Sequence, residues 1–511
     1  MQRHRLLAAL AASTAAAVEL WPLPRSLTNG SDSLIVIPGP TFFRLAGPAS
    51  ESDVLVEGIA RYADLTFPHR FEPGVGLSEL VVDVDNATQY PALGDDESYS
   101  LEISGPQTAT LKAPTVWGAL RGLETFSQLV EFDFDARGYK VHDAPLSIQD
   151  APRFPHRGLM VDSGRHFEPV AAIKKIVDSL PYAKLNVLHW HAVDTQSFPI
   201  ETPSRPKLWE GAYSKAERYS TEDVQDVVEH ARLRGVRVMV EFDVPGHSES
   251  WCAGYPEVCP STTCDQPLDV SSDATFELID AILGDAAAVF PDQFVHLGGD
   301  EVNTDCWDST PHVKDWLDAR NMSADDGYAY FVKTAGDLAR GHGKRVVQWS
   351  EVFDHFKTDL DKTTIVHVWK SVTNVTEVLA DGYDVLLNVG YDETSWYLDN
   401  LDVTWDKVYA QEPCAGVPDD LCPRILGGHG EMWGETVDAS DLEQTVWPRM
   451  AAIAERLWSE RSVADVAEAK PRLEVFRCLL ESRGIAAAPV NNTEARDAPP
   501  GPDSCYAQRR R

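Results

Sequence analysis

From Arg157 onward the chain repeats one pattern, an unbroken apolar run followed by apolar residues at helical spacing. The runs are RGLMVDSG (157–164), KLNVLHWHAVD (184–194), GVRVMVEFDVPGH (235–247) and DQFVHLGGDE (292–301). Then follow RVVQWSE (345–351), TIVHVWK (364–370), YDVLLNVG (383–390) and RILGGHGEMWGE (424–435). None alternates cleanly between apolar and polar, which suits strands covered on both faces of a parallel sheet. The helical stretches between them include VAAIKKIVDSLPYAK, EDVQDVVEHARLRG, FELIDAILGDAAAVF and YAYFVKTAGDLARG. Eight strand–helix units in series predict an α/β fold, a (β/α)8 TIM barrel over residues 151–490. In such a barrel the active site lies at the C-terminal ends of the strands.

The chain before the barrel reads differently. LIVI (34–37), SELVVDV (78–84), SYSLEIS (98–104) and TATLKA (108–113) read as strands, with helical spacing over 52–67 and 115–130. Residues 18–150 are therefore expected to form a small α+β domain, a sheet with helices on one face. Its boundary is the proline-containing DAPRFPHRG (150–158). Residues 1–17 have a basic start, an apolar stretch and an alanine-rich end, the pattern of a signal peptide. Residues 491–511 read as a C-terminal tail carrying one cysteine.

Composition then narrows the partners. A net charge of −35 repels nucleic acid and anionic membranes, and no later stretch is long and apolar enough for a membrane span. A secreted chain with eight cysteines is expected to pair them. Spacing favours Cys252–Cys259, Cys414–Cys422 and Cys478–Cys505, leaving Cys264 for Cys306. No CxxC spacing supports a structural zinc site, and no metal or cofactor is expected. Glycosylation sequons begin at Asn29, Asn86, Asn321, Asn374 and Asn491.

The candidate chemistry collects at the strand ends: Arg165, Asp194, His247, Asp300, Glu301, Trp349, Trp369, Trp433 and Glu435. Core packing alone does not put polar and aromatic residues on the same side of successive strands. Asp300 and Glu301 are adjacent, so they leave one strand tip and diverge. That differs from the two facing carboxylates, roughly 5–5.5 Å apart, of an ordinary retaining glycosidase. Unequal roles follow, and mutual repulsion is expected to raise one pKa and keep a proton-holding acid near neutral pH. Tyr397 and Asp399, in WYLD, add a donor and an acceptor at the rim.

HLGGDEVNTDCW, RGLMVDSGRHF, NVLHWHAVD, EFDVPGHSESW, WYLD and EMWGE resemble glycoside hydrolase family 20, the β-N-acetylhexosaminidases, in its eukaryotic lysosomal or secreted branch. The resemblance implies exo-hydrolysis of terminal β-linked GlcNAc or GalNAc by substrate-assisted catalysis with retention. It implies Glu301 as general acid and base, Asp300 on the acetamido N–H, and Tyr397 on its carbonyl oxygen. Asp194 and His247 would tune Glu301. Trp349, Trp369 and Trp433 would enclose the acetamido methyl and the sugar face, and Arg165, Asp399 and Glu435 would hold the outer hydroxyls. It also implies secretory, lysosomal or vacuolar delivery and a homodimer. Two departures stand out: Asp194 is followed by Thr195, and Asn400 stands where relatives acting on anionic glycans carry a basic residue. A preference for neutral over 6-sulfated sugars is the expectation.

Two rival readings remain at this level. His189-x-His191 at a strand end has the look of a metal-dependent amidohydrolase, and a barrel that binds glycans without cleaving them would share the aromatic residues.

Overall fold

The computed structural model describes residues 19–357, 360–370, 373–388 and 395–490. The first domain is a seven-stranded sheet. Its strands are β1 (Ser26–Val36), β2 (Phe43–Ala46), β3 (Glu79–Asn86), β4 (Tyr99–Ile103), β5 (Thr108–Thr115), β6 (Val130–Asp133) and β7 (Gly138–Asp150), ordered β1-β7-β4-β5-β3-β2 with β6 also on β7. Burial alternates along β3 and β5, as it must when only one face is covered. Helices α1 (Asp53–Thr66) and α2 (Val116–Leu129) cover that face through Val54, Leu55, Tyr62, Trp117, Leu120 and Leu123. Strands β2, β6 and β7 were not anticipated. β7 reads GYKVHDAPLSIQD, and its Pro145 and polar alternate positions hide a strand whose Tyr139, Val141, Leu146 and Ile148 are buried.

The second domain is the expected barrel. Its strands are β8 (His156–Asp162), β9 (Val187–Val193), β10 (Arg237–Phe242), β11 (Phe294–His296), β12 (Arg345–Trp349), β13 (Ile365–Val368), β14 (Asp384–Leu387) and β15 (Ile425–Met432). All pair in parallel, and β15 closes on β8. Each falls on one of the eight apolar runs, β8 starting one residue ahead of its run. Every residue of β8, β9 and β10 is buried, which is why those runs do not alternate. Leu188, Trp190, Val238 and Val240 pack in the large core shared with the surrounding helices. Val187, Met239, Phe294, Val347, Ile365 and Leu386 form a separate apolar cluster inside the barrel. One strand alternation onward comes a polar layer. There Glu241 contacts His189 (2.8 Å), His191 (2.7 Å) and His296 (3.0 Å), and accepts a hydrogen bond from the Trp349 indole (2.9 Å).

Buried ion pairs join the domains. Glu97 accepts from Arg121 (2.8 Å) and Arg157 (2.7 Å) on one oxygen and from Asn186 (2.8 Å) on the other. Asp150 pairs with Lys184 (2.7 Å) and accepts from Tyr99 (2.7 Å) and the Trp458 indole (3.1 Å). Burial alone would raise the Glu97 pKa, but Arg157 and Arg121 hold it down at about 2. Arg483, past the helix Val466–Ser482, pairs with Glu124 of α2 at 2.9 Å.

Disulfides Cys252–Cys259, Cys264–Cys306 and Cys414–Cys422 are formed as expected. Cys478 is buried, and its expected partner Cys505 lies outside the described residues, as do residues 1–17 and Asn491. Asn29, Asn86, Asn321 and Asn374 are exposed. Among the described residues, no helix is long and apolar enough to cross a membrane.

Candidate active site

The Asp300–Glu301 tip depends on the two glycines before it. Gly298 and Gly299 have φ of +57° and +95°, and a Cβ on Gly298 would fall 1.9 Å from the Asp243 carboxylate. That close approach lets Asp243 accept a hydrogen bond from the Gly299 N–H at 2.8 Å. Tyr328 fixes the same turn by donating to the Gly299 carbonyl. The chain then sends its two acids opposite ways. Asp300 is 7% exposed, whereas the Glu301 side chain is 57% exposed. Glu301 itself adopts φ +52°, a left-handed conformation that ordinary residues avoid.

His247 stands between these acids and Asp194. Its Nδ1 is 3.3 Å from Asp194, and its Nε2 is 3.5 Å from Glu301 and 3.8 Å from Asp300. His247 is also left-handed, at φ +51°, and its N–H donates to Gln266 at 2.9 Å. Gln266 belongs to the loop that the Cys264–Cys306 bridge ties to the segment after Glu301. Arg165 pairs with Asp194 at 2.9 Å and with Asp162 at 3.2 Å, and its guanidinium lies 4.9 Å from the Trp433 ring centroid. Fully buried Asp162 also accepts from the Gly434 N–H (2.9 Å), fixing the turn between Trp433 and Glu435.

The charges are distributed differently from the simplest expectation. Burial works against a charged His247, yet Asp194, Asp243, Glu301 and Asp300 lift its pKa to about 12. This imidazolium lowers the Glu301 pKa through its hydrogen bond. The raised carboxyls are Asp243 and Asp300, pushed up by burial; for Asp243 the neighbouring Asp300 charge adds to it. Proton affinity is thus raised at the buried Asp243–Asp300 pair and lowered at Glu301, the partner of His247. Asp300 is raised by its burial first, with the Glu241 charge adding to it, while Glu301 beside it is lowered, so the expected mutual repulsion of the two adjacent acids is not what shifts them.

The aromatic residues form a layered wall. Trp433 lies 5.8 Å from Trp349, and Trp369 lies 6.4 Å from Tyr397, centroid to centroid. Trp349 is 1% exposed and backs Trp433, while Trp369, Tyr397 and Trp433 are half-buried. Tyr397 is placed by backbone pairing beside Glu431 of β15. Burial, then the carboxylates around it, push its hydroxyl pKa up and keep it a donor. Asp399 is half-buried, its pKa raised to about 6 by burial, and Glu435 is exposed beside it. Three groups at the mouth, Asp300 Oδ1, Asp399 Oδ1 and Arg165 Nε, have no hydrogen-bond partner among the described residues.

Sequence reasoning missed Asp162, Glu241, Asp243, Glu351 and Lys370. Asp243 sits inside EFDVPGH, so an acid one strand alternation past Glu241 was the available signal. The histidine pair belongs to the buried polar layer rather than to the open mouth that a metal-dependent hydrolase would use. Both rings are fully buried, and His191 uses both nitrogens on carboxylates, Nε2 to Asp194 (2.8 Å) and Nδ1 to Glu241 (2.7 Å). Ligand-type atoms of His189, His367, His429 and Glu431 do lie within 4.8 Å of one another. Within this cluster, Glu431 Oε1 contacts His367 (3.2 Å) and Asn388 (3.2 Å), and the group is fully buried beneath the mouth.

Comparison with known proteins agrees with this geometry. The profile described as "Glycosyl hydrolase family 20, catalytic domain" matches residues 154–461, and one described as "beta-acetyl hexosaminidase like" matches residues 20–129. The chain is 46% identical over 514 residues to Beta-hexosaminidase 1 of Arabidopsis thaliana, covering 96% of this chain and 94% of that protein. It is 38% identical over 504 residues to Beta-hexosaminidase subunit beta of Mus musculus, covering 92% of each. The X-ray structure of a Flavobacterium johnsoniae chitobiase superposes with a TM-score of 0.81 at 29% identity, covering 93% of this chain and 74% of that one.

Proposed function

The chain belongs to glycosyl hydrolase family 20 and is a glycoside hydrolase of the β-hexosaminidase type, and on that premise we propose that it removes terminal non-reducing β-linked GlcNAc or GalNAc with retention, using the substrate's acetamido group as nucleophile. The observation that carries the reading is Asp300 Oδ1, a buried carboxylate oxygen with no partner among the described residues, beside the Asp194–His247–Glu301 chain. Such an oxygen suits the acetamido N–H and the positive charge that grows on it.

The acetamido carbonyl oxygen attacks C1 as the C1–O bond to the leaving group breaks, and Glu301 gives its proton to the departing oxygen. The product is an oxazolinium ion. Water then attacks C1, Glu301 takes the water's proton, and the amide re-forms. Tyr397 donates to the acetamido oxygen. Trp369 and Trp433 enclose the methyl and the sugar face, with Trp349 behind them. Arg165, Asp399 and Glu435 hold the outer hydroxyls. The acid form of Glu301 is populated only as pH falls toward its lowered pKa, so kcat/KM rises toward the acid side.

Secretory-pathway delivery, secreted or lysosomal/vacuolar, belongs to the same proposal. So do removal of residues 1–17, glycosylation at the five sequons, and a homodimer measurable by light scattering. The three disulfides fit an oxidising compartment. The deciding test is hydrolysis of an aryl N-acetyl-β-glucosaminide. Wild type should release the aglycone, and Glu301→Gln should lose about 10²–10⁴-fold in kcat. Wild-type protein that binds the sugar and releases nothing would overturn the reading.

A further inference from the structure

Behind the aromatic wall lies a carboxylate with no part in the proton transfers. Glu351 is 5% exposed and sits in the first turn of the short helix Ser350–Phe356 that follows β12. Its Oε2 accepts a hydrogen bond from the Trp369 indole N–H at 2.7 Å. Its Oε1 pairs with the ammonium of Lys370. That ammonium lies 4.7 Å from the Trp369 ring centroid, so one carboxylate grips the indole at its edge and the cation at its face. Trp369 neighbours Tyr397 at 6.4 Å, and the Glu351 charge is felt at Asp300's side of the pocket and at Tyr397.

A buried charge is costly unless it is paired and hydrogen-bonded. Burial and the nearby Asp300 raise the Glu351 pKa, and Lys370 and the indole N–H oppose that rise. If neutralising Lys370 were the whole purpose, the pair could sit at the surface, since both chains leave strand ends at the open side of the barrel. The second contact, to an indole that would otherwise pivot about its side-chain torsions, gives the arrangement its use. Trp369 is half-buried, so packing alone does not fix it.

We propose that Glu351 is a positioning residue of the hydrolase, which clamps the Trp369 indole through one oxygen and stretches Lys370 across the same ring through the other, and so sets the size of N-acyl group the pocket accepts. The inference rests on the N-acetylhexosaminidase reading, which wild-type turnover of the N-acetyl substrate tests separately.

The experiment compares aryl β-glucosaminides bearing N-acetyl and N-propionyl groups. Wild type should favour N-acetyl strongly. Glu351→Ala should lose about tenfold or more in kcat/KM on N-acetyl, the scale of a lost hydrogen bond to a charged group, mostly through KM. Its loss on N-propionyl should be smaller, so the ratio narrows. Glu351→Gln keeps an acceptor for the indole and should restore most of the wild-type ratio. A merely structural role would lower both substrates alike and leave the ratio unmoved. A folded Glu351→Ala with the wild-type ratio overturns the proposal. Should that variant not fold, Glu351→Asp, which keeps the charge but withdraws it by one methylene, is read in the same way: a narrowed ratio supports the clamp, an unchanged ratio overturns it.

Discussion

Glu97 and Asp150 at the domain junction, and Asp300 and Asp399 at the barrel mouth, are carboxylates largely removed from water, but their oxygens are treated differently. Both oxygens of Glu97 are taken by Arg121, Arg157 and Asn186, and both of Asp150 by Lys184, Tyr99, Trp458 and backbone N–H groups. At the mouth, Asp300 and Asp399 each keep one oxygen without a partner among the described residues. An unpaired buried acceptor costs about 1–3 kcal/mol, so it persists where a ligand completes it. The junction charges hold the molecule together, while the mouth charges wait for substrate.

The sharpest way to break that contrast is to remove a junction charge. Glu97→Ala strands two buried guanidinium groups and should cost about 3–5 kcal/mol in denaturant unfolding, with kcat per folded molecule unchanged. The same pair predicts a pH dependence. The Glu97 pKa is depressed from its ordinary value to about 2, so its contribution is complete above roughly pH 4.5. It fades as pH falls toward 2, by about 3 kcal/mol in all, and Glu97→Gln should flatten that stretch of the stability profile.

Changing a mouth charge should do the opposite. Asp300→Asn should lower kcat by about 10²–10³ with little change in melting temperature or sugar binding, because it presents the wrong contact to the acetamido N–H. Normal cleavage by that variant would remove substrate assistance from the account. Next comes His247→Asn. Losing the imidazolium lets the Glu301 pKa rise, so the alkaline limb of the kcat/KM profile should move to higher pH while kcat drops. A limb that stays put would mean another group sets it. The smallest effect concerns Asn400. With a neutral side chain at position 400, 6-sulfated substrate should turn over about fivefold worse than neutral substrate, and Asn400→Arg should narrow the gap.

The barrel was legible because its eight strands are covered on both faces and read as unbroken apolar runs. The one-sided sheet of the first domain was only partly so. In β7, Pro145 and alternating polar residues masked a strand that pairs with β1, β4 and β6. At the site, Asp300, Glu301, Asp194, His247 and Arg165 do converge, each from a strand end that could be counted along the chain. Asp243 and Glu351 were not visible, since their partners come from other strands and only the closed barrel brings them together. The depressed Glu301 pKa was hidden for the same reason, being set by His247 from the loop after β10.

Barrel closure also has a time attached. His156 at the start of β8 pairs with Gly427 of β15, so the first strand waits for a partner made roughly 270 residues later, on the order of 10–60 s of ribosomal synthesis. The sheet of the first domain needs nothing beyond Asp150 and can be complete before the barrel has its third strand. Until β15 arrives, β8 presents an unpaired edge of the kind that recruits other chains. The paired charges of Glu97 and Arg157, at the foot of that strand, are in place to hold it against an already folded neighbour during the wait.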